Sequence, residues 1–162
     1  MFPPPLLDRA AALVAACRAR GLALATAESC TGGLVSALLT EVPGSSAAFD
    51  RGFATYSNEA KTEMLGVPAD LIAAEGAVSE AVARAMAAGA LARSRADAAV
   101  AITGVAGPGG GTAAKPVGLV HFALARRGEG VIAVERRFGA LGRSEVRLAS
   151  VAQALDLFER AL

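Results

Sequence analysis

A chain of 162 residues that is 54% hydrophobic carries enough apolar material for one compact domain over residues 1–162, and with 4% aromatics and no Trp its core must be built from Ala, Val, Leu and Ile. A formal net charge of +1 gives no general attraction to nucleic acid or to an anionic membrane. Cys17 and Cys30 set no disulfide framework, and with a single histidine they make no persuasive metal site. Mean hydropathy is high at +0.46, yet no apolar run approaches the roughly 18 residues of a membrane span. The start, Met1 to Pro5, lacks the basic stretch and apolar core of a secretory signal, so a cytoplasmic protein is expected.

Pro3 to Pro5 open a first helix over Leu6–Arg20, which Gly21 ends. Leu22–Thr26 is short and apolar and predicts a buried strand. Ala27 to Gly33 is small and polar, and Leu34–Leu39 continues as helix. Pro43-Gly44-Ser45-Ser46 predicts a loop, Phe49–Ser57 a strand weakened at its start by Asp50 to Gly52. Asn58 can cap a short helix through Leu65, and Pro68 starts another. Ser79 reads as the N-cap of a long helix, Glu80 to about Arg93. Ala98–Thr103 is a second buried strand, followed by a glycine-rich loop from Gly104 to Pro116. Val117–Ala125 and Val131–Phe138, joined by Arg-Gly-Glu-Gly, predict a hairpin. A last helix runs from about Gly142. Strands alternating with helices, then a hairpin, predict the α/β class: a three-layer α/β/α sandwich around a mixed, mostly parallel sheet.

Thr26 to Gly33 lies where a buried strand hands over to a helix, the place where ligands collect in open α/β sheets. Free N–H groups at such a helix start suit an anion or a developing oxyanion. Ser29 is a candidate nucleophile, Glu28 an anchor or orienter, and Thr31, Gly32 and Gly33 the approach to the backbone. The same residues would also serve as a helix cap with tightly packed glycines. Cys30 is a rival nucleophile, since a thiol at a helix start can have a lowered pKa. A serine nucleophile needs a base. His121 sits within a strand and reads as structural.

Of sixteen basic residues only Lys61 and Lys115 are lysine. Lysine can surrender its proton when desolvated; arginine in practice cannot. Lys61, in the first turn of the helix after Asn58, is the better base, because the positive end of the helix dipole disfavours an ammonium there. Tyr56, at the end of a strand, could relay a proton or position a substrate. The loop Thr103-Gly104-Val105-Ala106-Gly107-Pro108-Gly109-Gly110-Gly111 reads as a phosphate or ribose cradle or as a flexible surface loop. It is not a Walker loop. Arg143 and Arg147, one turn apart, would bind phosphate or form an exposed basic face.

Together these segments resemble the CinA C-terminal domain family. The resemblance is carried by Ala27-Glu28-Ser29-Cys30-Thr31-Gly32-Gly33, Pro43-Gly44-Ser45-Ser46, Tyr56-Ser57-Asn58-Glu59-Ala60-Lys61, Gly76-Ala77-Val78-Ser79, Thr103 to Gly110 and Lys115-Pro116-Val117-Gly118. It implies an α/β/α domain that deamidates nicotinamide mononucleotide to nicotinate mononucleotide and ammonia in pyridine nucleotide salvage, without cofactor or metal. By position it implies Ser29 as nucleophile, Lys61 as its base and Tyr56 assisting. Thr103, Ser46 and Arg143 are the implied substrate contacts, and Gly104, Gly107 and Lys115 belong to the same loop region. Family members often have Gly-Asp-Arg before the last helix; this chain has Leu141-Gly142-Arg143, so that Asp cannot orient Arg143. Relatives often carry a large extra N-terminal domain, for which 162 residues leave no room. The expected partner is a small-molecule nucleotide, with neither nucleic acid nor membrane. Whether the alanine-rich helices pack within one subunit or build a homo-oligomer is left open, as is a regulatory module that binds nucleotide without catalysis.

Overall fold

The structure is a computed structural model that describes residues 2–162; Met1, the first residue of the stretch read above for a secretory signal, lies outside them. Helix α1 spans Pro4–Arg20 and strand β1 Leu24–Glu28. Helix α2 covers Leu34–Thr40, and a 3-10 turn at Ser45–Ala47 leads into β2, Phe49–Ala54. Three helices follow: α3 (Asn58–Leu65), α4 (Ala69–Glu75) and α5 (Glu80–Ala92). Strand β3 is Ala98–Gly104, β4 Leu119–Arg126, β5 Val131–Arg137, and α6 closes the chain at Arg143–Arg160.

The sheet order is β2-β1-β3-β4-β5. β1 pairs in parallel with both β2 and β3; β4 is antiparallel to β3 and to β5. Four of the five strands therefore point the same way, and the expected mixed sheet is found. Its buried centre explains why β1 and β3 are buried on both faces rather than alternating between core and solvent.

The two faces of the sheet carry different side chains. On one, Leu24, Val100, Ile102, Phe122 and Leu124 pack against α1, α2 and α6. On the other, the strands contribute almost only alanine, with Ala25, Ala27, Ala99, Ala101, Ala123 and Ala125 meeting Val82, Ala83, Met86, Ala87 and Ala90 of α5. Small side chains on both sides bring α5 close to the sheet. The same closeness recurs where α5 meets α3, because a methyl group built on Gly89 would strike the Leu65 carbonyl oxygen.

Gly89→Ala sets two effects against each other. Alanine improves helix propensity by about 1 kcal/mol. The overlap is with backbone oxygen, which cannot rotate away, and overpacking of this kind costs about 1–3 kcal/mol. The expected result is a net loss of stability and a lower melting temperature by calorimetry.

Several boundaries shift in ways that matter for chemistry. The first strand runs two residues further than expected and takes in Glu28. The cap of α3 is Ser57, whose side chain accepts from the Ala60 N–H at 3.0 Å; Asn58 is the first helical residue instead. No helix among the described residues is long and apolar enough to cross a membrane.

Candidate active site

Three parallel strand ends build the site. The Ser29 N–H donates to the Ile102 carbonyl at 3.0 Å, and the Thr55 N–H donates to the Glu28 carbonyl at 2.9 Å. Both bonds extend the sheet by one step past its regular strands. They hold Ser29, Thr55 and Thr103 side by side at the carboxyl edge, where the sheet stops and a cleft of about 210 Å³ opens. Ser29, Cys30, Lys61 and Thr103 line its floor; Tyr56 and Arg143 stand at its mouth; Ala77, Val78, Gly104 and Ala106 form the walls. A larger groove of about 350 Å³ runs between α3 and α4, but it holds Glu59 and Glu63 without a nucleophile beside a base.

Lys61 reaches the cleft from the first turn of α3 and is 1% exposed. Its Nζ lies 3.0 Å from Ser29 Oγ, 2.9 Å from the Thr55 carbonyl oxygen and 3.4 Å from that of Ser57. An ammonium would spend three protons on these three oxygens. A neutral amine spends two on the carbonyls, which can only accept, and turns its lone pair to the serine hydroxyl. Burial away from water lowers the Lys61 pKa and favours the neutral form; a Cys30 thiolate would oppose this by attraction. That opposition is weak near neutral pH, because burial pushes the Cys30 thiol up to about 11 and keeps it protonated.

Glu28 has a different task from the substrate contact expected of it. Its carboxylate is buried and accepts from the N–H groups of Gly33, Val35 and Ser36 and from the Ser36 hydroxyl, at 2.8–3.1 Å. The anion expected at the start of α2 is thus the chain's own carboxylate. Such charge-assisted bonds contribute about 1.5–3 kcal/mol each, and together they fix the turn between β1 and α2. Gly33 was expected to offer its N–H to an oxyanion, but that N–H is bound to Glu28, and the Gly32 N–H is bound to the Ser29 carbonyl at 3.0 Å. Both glycines have positive φ, +60° and +101°, so they shape the turn rather than receive the substrate. The N–H groups of Cys30 and Thr31 take no backbone acceptor among the described residues. The Thr31 hydroxyl is fully buried and unpartnered.

Arg143 is oriented by two partners. It donates to the Gly107 carbonyl at 2.8 Å and to the Tyr56 hydroxyl at 3.0 Å. Gly107 therefore holds Arg143 through its carbonyl and does not line the cleft. The Thr103 hydroxyl donates to the Ala77 carbonyl at 2.8 Å, which ties the floor to one wall and leaves its oxygen free to accept. Arg147, read above beside Arg143 as a phosphate ligand, instead donates to the Cys30 and Thr31 carbonyls. His121 is buried in β4, and burial lowers its pKa.

Two expected contacts lie elsewhere. Ser46 precedes β2 and lines a separate hollow with Phe49, Asp50 and Arg95. In a parallel unit that is the amino edge of the sheet, on the order of 15 Å from the carboxyl edge along a five-residue strand. Lys115 donates to the Glu75 carbonyl and braces the segment that leads to Ala77, one layer outside the cleft. Among the described residues no group of three or more His, Cys, Asp or Glu could hold a metal ion.

The family model for the CinA C-terminal domain matches residues 7–162. The chain is 54% identical to the nicotinamide-nucleotide amidohydrolase PncC of Escherichia coli K12 over 87% of this chain and 85% of that one. It is 56% identical to a CinA-like protein of Mycolicibacterium gilvum over 96% of its own length but 35% of the relative's. Like that match, many of the curated relatives are far longer, and the chain spans roughly a quarter to a third of them. The crystal structure of a competence/damage inducible protein, CihA, from Agrobacterium tumefaciens superposes with a TM-score of 0.97 at 51% identity, covering 99% of this chain and 97% of that one. With the family model matched over nearly the whole chain and the fold shared, the chain belongs to the CinA C-terminal domain family.

Proposed function

We propose that this protein is an amidohydrolase that converts nicotinamide mononucleotide to nicotinate mononucleotide and ammonia by serine acyl transfer. The observation that carries the reading is the buried Lys61 amine 3.0 Å from Ser29 Oγ, with two carbonyls occupying its remaining protons. The 54% identity to PncC over most of both chains supports the substrate.

In the mechanism, neutral Lys61 takes the hydroxyl proton as Ser29 Oγ attacks the carboxamide carbon. The N–H groups of Cys30 and Thr31, which take no backbone acceptor, receive the negative charge that gathers on the amide oxygen. The tetrahedral intermediate then collapses. Lys61 returns its proton to the departing nitrogen, ammonia leaves, and the nicotinoyl group stays on Ser29 as an ester. Water attacks that ester, again giving its proton to Lys61, which passes it to the departing Ser29 Oγ as the acid is freed. Arg143 and Tyr56, already bonded to each other at the mouth, hold the phosphate and ribose end. The apolar walls at Ala77, Val78 and Ala106 accept the flat ring.

Purified protein incubated with nicotinamide mononucleotide, nicotinamide riboside and nicotinamide, with free ammonia followed, tests this. Ammonia should form readily from the mononucleotide and far more slowly from the two compounds that give Arg143 no phosphate to bind. Absence of ammonia from all three overturns the reading. Thermal stabilisation by the mononucleotide without ammonia release would instead mark a module that binds nucleotide and does no chemistry.

A further inference from the structure

The nucleophile sits at the first position of a four-residue turn, Ser29 to Gly32, closed by the Gly32 N–H on the Ser29 carbonyl. The middle peptide of such a turn, here Cys30–Thr31, has no bond within the turn. It is tied from outside. Arg147 Nε donates to the Cys30 carbonyl at 3.1 Å and Arg147 Nη2 to the Thr31 carbonyl at 3.0 Å. A guanidinium is a rigid planar fork, so two bonds from one fork fix two successive carbonyls relative to each other. In a trans peptide the N–H points opposite to the C=O, and the single cis bond among the described residues is Gly107–Pro108. Drawing the Cys30 carbonyl toward α6 therefore turns the Thr31 N–H, which has no backbone acceptor, away from α6.

A second observation concerns charge. Arg147 is half-buried, and its hydrogen bonds among the described residues go only to carbonyls, never to a carboxylate. The guanidinium lies close against the turn, since a methyl group on Gly32 would sit 3.6 Å from Arg147 Nη2. A partly desolvated cation that spends its hydrogen bonds on carbonyls polarises the peptides it grips and strengthens their N–H groups as donors.

We propose that Arg147 is a positioning residue of the reaction, acting through the Cys30–Thr31 peptide to aim and polarise the Thr31 N–H, one of the two N–H groups that receive the oxyanion. The inference rests on the acyl-transfer reading above but does not depend on which amide is the substrate. Its test uses a fluorophosphonate, which phosphonylates a serine nucleophile with loss of fluoride and places its P=O oxygen where the oxyanion would form.

Labelling of Ser29 should slow by about 10- to 100-fold in Arg147→Gln, with Arg147→Lys intermediate, because an ammonium keeps the charge and loses the fork. Turnover of nicotinamide mononucleotide should fall in parallel in kcat while KM changes little. Millimolar methylguanidinium should restore part of the labelling rate to Arg147→Ala. Equal labelling rates in wild type and Arg147→Gln overturn the proposal. So does a loss that tracks the unfolded fraction in a thermal melt and is not rescued by methylguanidinium, since that is a purely structural role. If wild type is labelled but releases no ammonia from the mononucleotide, the substrate assignment fails, while the labelling rates still decide the role of Arg147.

Discussion

Lys61→Met should leave a folded protein and lower kcat by about 10²–10⁴-fold, the range expected when a positioned general base is lost. The fold survives because methionine fills a similar volume and brings no charge into the interior. The Ser57 carbonyl keeps the Lys61 backbone N–H as a partner. The Thr55 carbonyl loses its donor, at about 1–3 kcal/mol for an unpaired buried oxygen. Removal of a buried amine, whose desolvation is the chief cause of its lowered pKa, offsets this.

The variant also separates the base from a mere packing residue through pH. In the native protein burial brings the pKa of the Lys61 amine below the ordinary lysine value. Turnover at low substrate should therefore rise with pH along a limb centred below that value, and Lys61→Met should lack the limb. Stability has a matching sign. Below the native pKa both folded and unfolded chains carry the proton, and the cost of burying a charged amine is present in full. Between the native and unfolded pKa values the unfolded chain binds more protons, so raising the pH stabilises the native state. The melting temperature of the native protein should gain on that of Lys61→Met as pH rises through this window. A variant with near-full turnover, or one that keeps the alkaline limb, removes Lys61 from the mechanism.

Much of the site was legible because it is local or topological. A buried strand followed by small polar residues and two glycines places Ser29 at a carboxyl edge, and lysine retained in an arginine-rich chain singles out position 61. Their meeting at 3.0 Å depends on β2 lying beside β1, which alternation of strands and helices makes natural. What escaped the sequence were partnerships set by rotation about an axis. Arg143 and Arg147 are one turn apart and look equivalent in sequence. The packing of α6 against β3 and β4 decides that one faces the cleft mouth and the other the nucleophile turn.

Two misplacements had a signal that went unused. A loop that leaves a helix and precedes a parallel strand returns to the amino edge, which excludes Ser46 from the opposite edge. A carboxylate just before a glycine pair and a short helix is well placed to cap that helix itself, as Glu28 does. For Lys115 there was none, since the Glu75 carbonyl that it holds lies forty residues away in sequence.

The identity of the nucleophile carries the other large effect. Ser29→Ala should lower turnover by more than about 10³-fold, whereas Cys30→Ala should stay within a small factor of the native rate. Both side chains line the cleft, so location does not choose between them; protonation and partnership do. A thiol at about 11 is ionised in roughly one molecule in 10⁴ at pH 7, and the thiolate is the reactive form. Ser29 needs no standing ionisation in the proposed mechanism, where Lys61, 3.0 Å from its Oγ, removes its proton during attack. Backbone bonds to Ile102 and Gly32 hold Ser29 in place, and alanine keeps both, so a loss in Ser29→Ala reports chemistry rather than folding. Mass spectrometry of acid-quenched reactions supplies the direct check. The native protein and Cys30→Ala should carry the substrate's acyl group on the peptide containing residue 29, and Ser29→Ala should carry none. Acylation that persists in Ser29→Ala and vanishes in Cys30→Ala would transfer the reaction to sulfur, and with it the need for a base that Lys61, turned toward the hydroxyl, does not supply.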